Sequence, residues 1–212
     1  MHYDHEYFEW QKSQGEFGAI VDLFKFEEFI KPTDNVIDFG CGGGYLLKAL
    51  KCRAKLGIEI NDYAIDSAIK NGLTVYKEID SIPDEWADVI ISNHVLEHVE
   101  NPFDTLLKLK VKLKLGGKII FVTPFERKGE FNENDINQHL YTWTPLNLGN
   151  LFKTAGYKIE KAELLKHRWP PQSRRILKYF GIKIFHITAY LYGSLKRDLL
   201  QVRIVAKKSN NQ

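Results

Sequence analysis

Residues 36–50, VIDFGCGGGYLLKAL, constrain this chain more than any other stretch. Residues 36–39 are an apolar run broken only by Asp38, which predicts a short buried parallel strand, and residues 45–50 read as the start of a helix. Between them lie Gly40, Gly42, Gly43 and Gly44. Glycine has no Cβ, so the backbone can turn sharply and bring bare N–H groups against a ligand. A strand, a glycine turn and a helix N-terminus together make a nucleotide-type site. The dinucleotide fingerprint G-x-G-x-x-G asks for a third glycine. Counted from Gly40 and Gly42 that position is Tyr45, and counted from Gly42 and Gly44 it is Leu47. Neither register fits a pyrophosphate-binding turn.

The run DFGCGGG, with an acid at the end of the strand, resembles motif I of the class I S-adenosylmethionine (SAM) methyltransferases. In that family the acid and the glycine backbone hold the amino-acid end of the ligand, so the resemblance implies cofactor contacts from Asp38, Gly40, Cys41 and Gly42. A second strand is expected over residues 55–60, with Asn61 or Asp62 capping a helix over 63–70. Glu59 ends that strand about 20 residues past the glycine turn, where a carboxylate can accept both ribose hydroxyls. Ile60 would then lie against the adenine face. A third strand over 74–79 leads into Asp80-Ser81-Ile82-Pro83, where the family places an acid for the adenine amino group. Asp80, with Ser81 beside it, competes with Glu78 for that role and is preferred because Glu78 falls on the other side of the pleat.

Residues 86–92, WADVIIS, read as the fourth strand, with the apolar run expected of a central parallel strand. Asn93 and His94 then stand at its carboxyl end, where open α/β sheets bind ligands. A helix over 103–113, a turn at Gly116-Gly117 and a fifth strand over 118–123 follow. IISNHVLEHVENP and LKLGGKIIFVTP resemble the methyltransferase type 11 and ubiquinone-biosynthesis methyltransferases, and the likeness covers residues 34–125.

Residues 1–13 carry Tyr3, Tyr7, Phe8 and Trp10. They either pack on the domain or form a lid, with Tyr7, Trp10 and Gln11 closing over the cofactor. Residues 15–30 read as one amphipathic helix ended by Lys31-Pro32. The polar loop 125–143 is long enough to imply work or disorder. A helix over 146–154, a sixth strand over 157–165 and a last strand over 200–206 complete the pattern. The expected fold is α/β, a Rossmann-like doubly wound seven-stranded sheet with strands 1–6 parallel and strand 7 antiparallel. One domain comprises an N-terminal lid and helix (1–33), a SAM-binding core (34–125) and a helical insertion (166–199). Lys178, Lys183 and His186 interrupt the insertion's apolar run, so it is not a membrane span. It fits a helical cap over the substrate, a dimer contact, or a basic-aromatic helix lying on a membrane.

Methyl transfer from SAM is an in-line displacement, so the protein chiefly aligns donor and acceptor and, for a hydroxyl, removes a proton. Candidates beyond strands four and five are Asn93, His94, Glu97, His98, His139 and Tyr141. His94, Glu97 and His98 are spaced i, i+3, i+4, one helical face within reach of one ion. With His139 they resemble the small-RNA 2′-O-methyltransferases and some ubiquinone-pathway O-methyltransferases, where E-x-x-E-H and a later His bind a divalent cation. Here His94 replaces the first Glu, and L-E-H-V is also widespread in type 11 enzymes without metal. In that case His139 or His94 is the general base.

YFEWQ, DINQHLYTWTPLNLGNLF and WPP together resemble small methyltransferases of bacterial capsule and O-antigen synthesis. That implies O-methylation of a sugar, nucleotide-sugar or phosphorylated group, for which Lys166, Arg168, Arg174 and Arg175 are suited. N-methylation of a small amine and a non-catalytic SAM-binding partner protein are the alternatives. A net charge of +3 over 212 residues gives no reason of its own to invoke nucleic acid. Cys41 and Cys52 read as free thiols and MHYDHEYFEW shows no export pattern, so a cytoplasmic monomer or homodimer is expected.

Overall fold

The computed structural model describes residues 5–127 and 131–209. Its strands are β1 (Asn35–Phe39), β2 (Ala54–Ile58), β3 (Thr74–Tyr76), β4 (Ala87–Asn93), β5 (Leu113–Glu126), β6 (Tyr157–Leu165) and β7 (Leu199–Lys208). They form one sheet in the order β3-β2-β1-β4-β5-β7-β6. β7 runs antiparallel to both neighbours, and the pairings from β3 to β5 are parallel. The helices are α1 (His5–Val21), α2 (Tyr45–Ala49), α3 (Asp62–Lys70), α4 (Pro102–Lys112), α5 (Pro145–Thr154) and α6 (Ser173–Leu195).

Strand side chains alternate between faces, so a strand covered on both sides must be apolar throughout. Ile37 and Ile90 pack with Leu106 and Leu109 of α4 and Phe152 of α5. Their neighbours Val36, Val89 and Ile91 pack on the opposite side with Leu47 of α2 and Phe26. A separate small core joins α1 to α6 through Phe17, Val21, Phe185 and Ala189.

Several boundaries differ from the sequence pattern. The expected helix over 15–30 starts earlier, at His5, and stops at Val21, with single 3-10 turns at Leu23–Lys25 and Glu27–Phe29. The break turns Lys25 inward. Its Nζ, wholly buried, lies 2.9 Å from Asp22 Oδ2 and donates to Asn93 Oδ1 at 3.3 Å. Asn61 rather than Asp62 caps α3, accepting from Tyr63 N. β5 begins at Leu113 and not at 118: Leu113 pairs with Ala87 and Lys118 with Val89, so residues 114–117 bulge out around Gly116, at φ +75°. The insertion is α6, kinked where Gly181 leaves helical geometry, and among the described residues no helix is long and apolar enough to cross a membrane.

Candidate functional site

The glycine turn carries three left-handed residues, Gly40, Gly42 and Gly44. A Cβ on Gly40 would stand 2.2 Å from Val95, whereas one on Gly42 would meet nothing within 4 Å. Gly40 is fixed by packing, and Gly42 faces open space. Gly40 N and Cys41 N donate to Ile58 O, tying the turn to the end of β2. Gly42 N donates to Glu59 Oε2 at 2.8 Å, while Glu59 Oε1 accepts from Ile60 N and Asn61 N. Three backbone donors therefore orient Glu59, leaving about one of a carboxylate's roughly four lone-pair sites for a ligand. Asp38 is buried and, among the described residues, accepts no side-chain hydrogen bond. Burial, and then the charge of Glu59, push its carboxyl up to about 7.

Below the turn opens a cavity of about 510 Å³. Asp38, Gly40, Cys41 and Gly42 form one wall, and Gly15, Gly18 and Ala19 of α1 another. Asn93, His94 and Pro124 stand at the strand ends, as expected for an open sheet. Glu59, Ile60, Asp80, Ser81 and Tyr141 do not line it. Ile60 is exposed, and Asp80, in a 3-10 turn, accepts from Lys108 Nζ at 2.9 Å. Tyr141 donates its hydroxyl to Glu100 O and stacks on Trp143. The side chains of Tyr7, Trp10 and Gln11 lie outside the described residues.

The single helical face expected for His94, Glu97 and His98 is not formed. His94 N donates to Val122 O, extending the β4–β5 ladder one residue past the strand, and the chain must then reverse. His94 does so in the left-handed region, φ +59°, and only a three-residue 3-10 turn, Leu96–His98, follows. The outcome still clusters ligands: the donor atoms of Glu97, His98 and His139 lie within 4.8 Å of one another. His94 is outside that set, with Nδ1 3.5 Å from Glu97 Oε1.

Glu97 is wholly buried and neither carboxyl oxygen is hydrogen bonded. Leu140 N and Tyr141 N donate to its backbone carbonyl, which brings the long polar loop back and places His139. His139 Nδ1 lies 3.0 Å from Glu126 Oε1, leaving Nε2 as the ring nitrogen available to a ligand. The His98 imidazole is held below its ordinary range, chiefly by burial, against the pull of Glu97.

The insertion supplies the remaining wall through His167, Arg168 and Trp169. Trp169 Nε1 donates to Asp22 Oδ1 at 3.4 Å, and His167 Nε2 lies 3.0 Å from His186 Nδ1. Burial, and then the charge of Lys25, push His167 down to about 4, so its imidazole is neutral at pH 7. Of the four basic residues singled out in the insertion only Arg168 lines the cavity, and it pairs with Asp198. Arg174 is held by Ser13. Sequence reasoning gave no site role to Asp22, Lys25, Glu126 or Trp169, of which only Trp169, the first residue of the WPP motif, carried a signal.

Residues 8–162 match the family described as "Methyltransferase domain". Among curated proteins, the ribosomal protein L11 methyltransferase of Burkholderia lata is 33% identical over 102 residues, which cover 44% of this chain and 33% of that protein. The chain thus spans about a third of the length of the curated relatives it matches. A SAM-dependent methyltransferase structure from Archaeoglobus fulgidus superposes with a TM-score of 0.69 at 19% identity, covering 97% of this chain and 100% of that one. Phosphoethanolamine N-methyltransferase 2 of Haemonchus contortus, in complex with SAM, gives a TM-score of 0.64 at 14% identity over 89% of this chain and 52% of that one. At these identities the structures speak to the fold.

Proposed function

Because the chain belongs to the class I SAM-dependent methyltransferases, we propose that it transfers a methyl group to a hydroxyl of a small acceptor held between the glycine turn and the Glu97, His98 and His139 cluster. The observation carrying this reading is the buried Glu97 carboxyl, without a hydrogen-bond partner among the described residues, beside two imidazoles on the cavity wall. SAM when bound supplies a methyl carbon activated by its sulfonium.

The residues present fit that cofactor. Asp38 is a buried carboxyl that accepts no side-chain hydrogen bond among the described residues, and an α-amino group would provide a donor. Gly42 leaves its Cβ direction open to a ligand, and Glu59 keeps a lone pair for a ribose hydroxyl. Binding of S-adenosylhomocysteine is therefore expected to weaken as the pH falls below about 7, where Asp38 takes up a proton that an ammonium partner must displace. The limiting slope is about tenfold in Kd per pH unit. Calorimetry across roughly pH 6 to 8 measures it, and a flat profile rejects an Asp38–ammonium pair. The free protein shows the opposite trend. Because Asp38 titrates higher folded than its ordinary 3.8, its contribution to stability is lost as pH rises from about 4 through about 7.

A divalent cation held by Glu97, His98 and His139 would lower the pKa of an acceptor hydroxyl, and two imidazoles with one carboxylate favour a transition metal over magnesium. His139, steadied by Glu126, either ligates or takes the acceptor's proton. The flanking resemblances support an acceptor drawn from sugars, nucleotide-sugars or phosphorylated groups. Calorimetry with manganese or zinc on chelated protein tests cation binding directly, and turnover on such acceptors should fall on chelation and return with the metal. His139→Ala is expected to leave S-adenosylhomocysteine affinity unchanged while cutting turnover by on the order of a hundredfold. Unaltered turnover in that variant rejects the assignment. A second reading, a nitrogen acceptor, is favoured by the structural likeness to the Haemonchus contortus N-methyltransferase. Cation-independent methylation of an amine would select it.

A further inference from the structure

After the Gly181 kink, α6 turns Phe185, Ala189 and Gly193 toward the body of the protein. On its opposite side lie Ile184, Ile187, Leu191 and Leu195, spaced by three and four residues, and all are exposed, Leu195 at 81%. That spacing makes a continuous stripe along one helical face. A helix apolar on both faces has two partners, and the structure accounts for one.

Charge identifies the second. Residues 166–197 contain no Asp or Glu, in a chain with 27 acids among 212 residues. Arg175, Lys178 and Lys183 make no ion pair among the described residues. Tyr190 on the stripe's own segment, and Tyr179 and Phe180 just before the Gly181 kink, are more than half exposed. A second copy of the chain seated on this face would set these basic residues against themselves. An apolar stripe with Lys183 at its start, and with Arg175, Lys178 and amphipathic rings on the helical segment before the Gly181 kink, suits the boundary between lipid headgroups and acyl chains.

We propose that the outward face of α6 docks on an anionic lipid bilayer, its apolar stripe entering the headgroup boundary and Arg175, Lys178 and Lys183 meeting lipid phosphates. The segment leading into α6 supplies His167, Arg168 and Trp169 to the cavity, so docking sets that wall beside the membrane.

Sedimentation of the full chain with vesicles tests this. Vesicles of equal parts phosphatidylglycerol and phosphatidylcholine should capture it, vesicles of phosphatidylcholine alone should not, and raised salt should release it. The double variant Ile187→Asp, Leu191→Asp should lose capture. Reversal of Arg175, Lys178 and Lys183 to Glu should weaken it by on the order of a hundredfold, about fivefold for each cation removed from the surface. Both variants should bind S-adenosylhomocysteine as the parent does. Three results overturn the proposal: no capture of the parent, equal capture on neutral vesicles, or sedimentation equilibrium showing a dimer that Leu191→Asp splits.

Discussion

Gly42→Val is expected to abolish binding of S-adenosylhomocysteine while leaving the protein folded. The two effects separate because a Cβ at this position meets no protein atom within 4 Å. The native φ of +53° costs a β-branched residue about 1–2 kcal/mol, a modest loss of stability. The new methyl groups point into the cavity and displace whatever approaches the turn, so affinity should fall by more than a hundredfold, beyond about 3 kcal/mol. Gly40 is the control. A Cβ there collides with Val95 at 2.2 Å, so Gly40→Ala should lower the melting temperature as well as affinity. Calorimetry and thermal unfolding on both variants distinguish exclusion from misfolding. Normal affinity in Gly42→Val would mean that the ligand does not rest on this turn.

Glu97→Gln is expected to cost turnover on the order of a hundredfold or more and to remove the effect of a divalent cation on the melting temperature. The substitution preserves shape at a site that is wholly buried, and it breaks no hydrogen bond, since neither oxygen makes one. Folding should therefore be retained, and S-adenosylhomocysteine, whose proposed contacts lie at the glycine turn, should bind as before. A merely structural Glu97 would give a different pattern: a lower melting temperature at every cation concentration and unchanged turnover in the surviving protein.

The donor half of the site was legible because its conformation is written in residue types. Four glycines within five residues mark the turn, three of them at positive φ, and Glu59 stands at the strand end its spacing predicts, holding Gly42 N. β6, bounded by a glycine before and the insertion after, spans Tyr157–Leu165 as its pattern indicated. The acceptor half was less legible. HVLEHV has helical spacing, yet the β4–β5 ladder holds His94 N and forces a left-handed reversal that spacing cannot reveal. Glu126 ends β5, His139 lies 13 residues further on in a polar loop without periodicity, and the two bonds to the Glu97 carbonyl bring the imidazole back. Lys25, in LFKFEEF, reads as a solvated cation, but it is wholly buried between Asp22 and Asn93.

Leu165 and Gln201 are cross-strand partners, so the insertion leaves and re-enters the sheet one strand spacing apart. Antiparallel strands so placed can be joined by a turn of only a few residues. Everything between them can lengthen, shorten or be exchanged without moving the strands that carry Asp38 or Asn93. In the proposed site, donor recognition and acceptor recognition can thus diverge at separate rates: descendants of this architecture could acquire new substrates by replacing a single loop, while the proposed methyl-donor pocket is inherited unchanged.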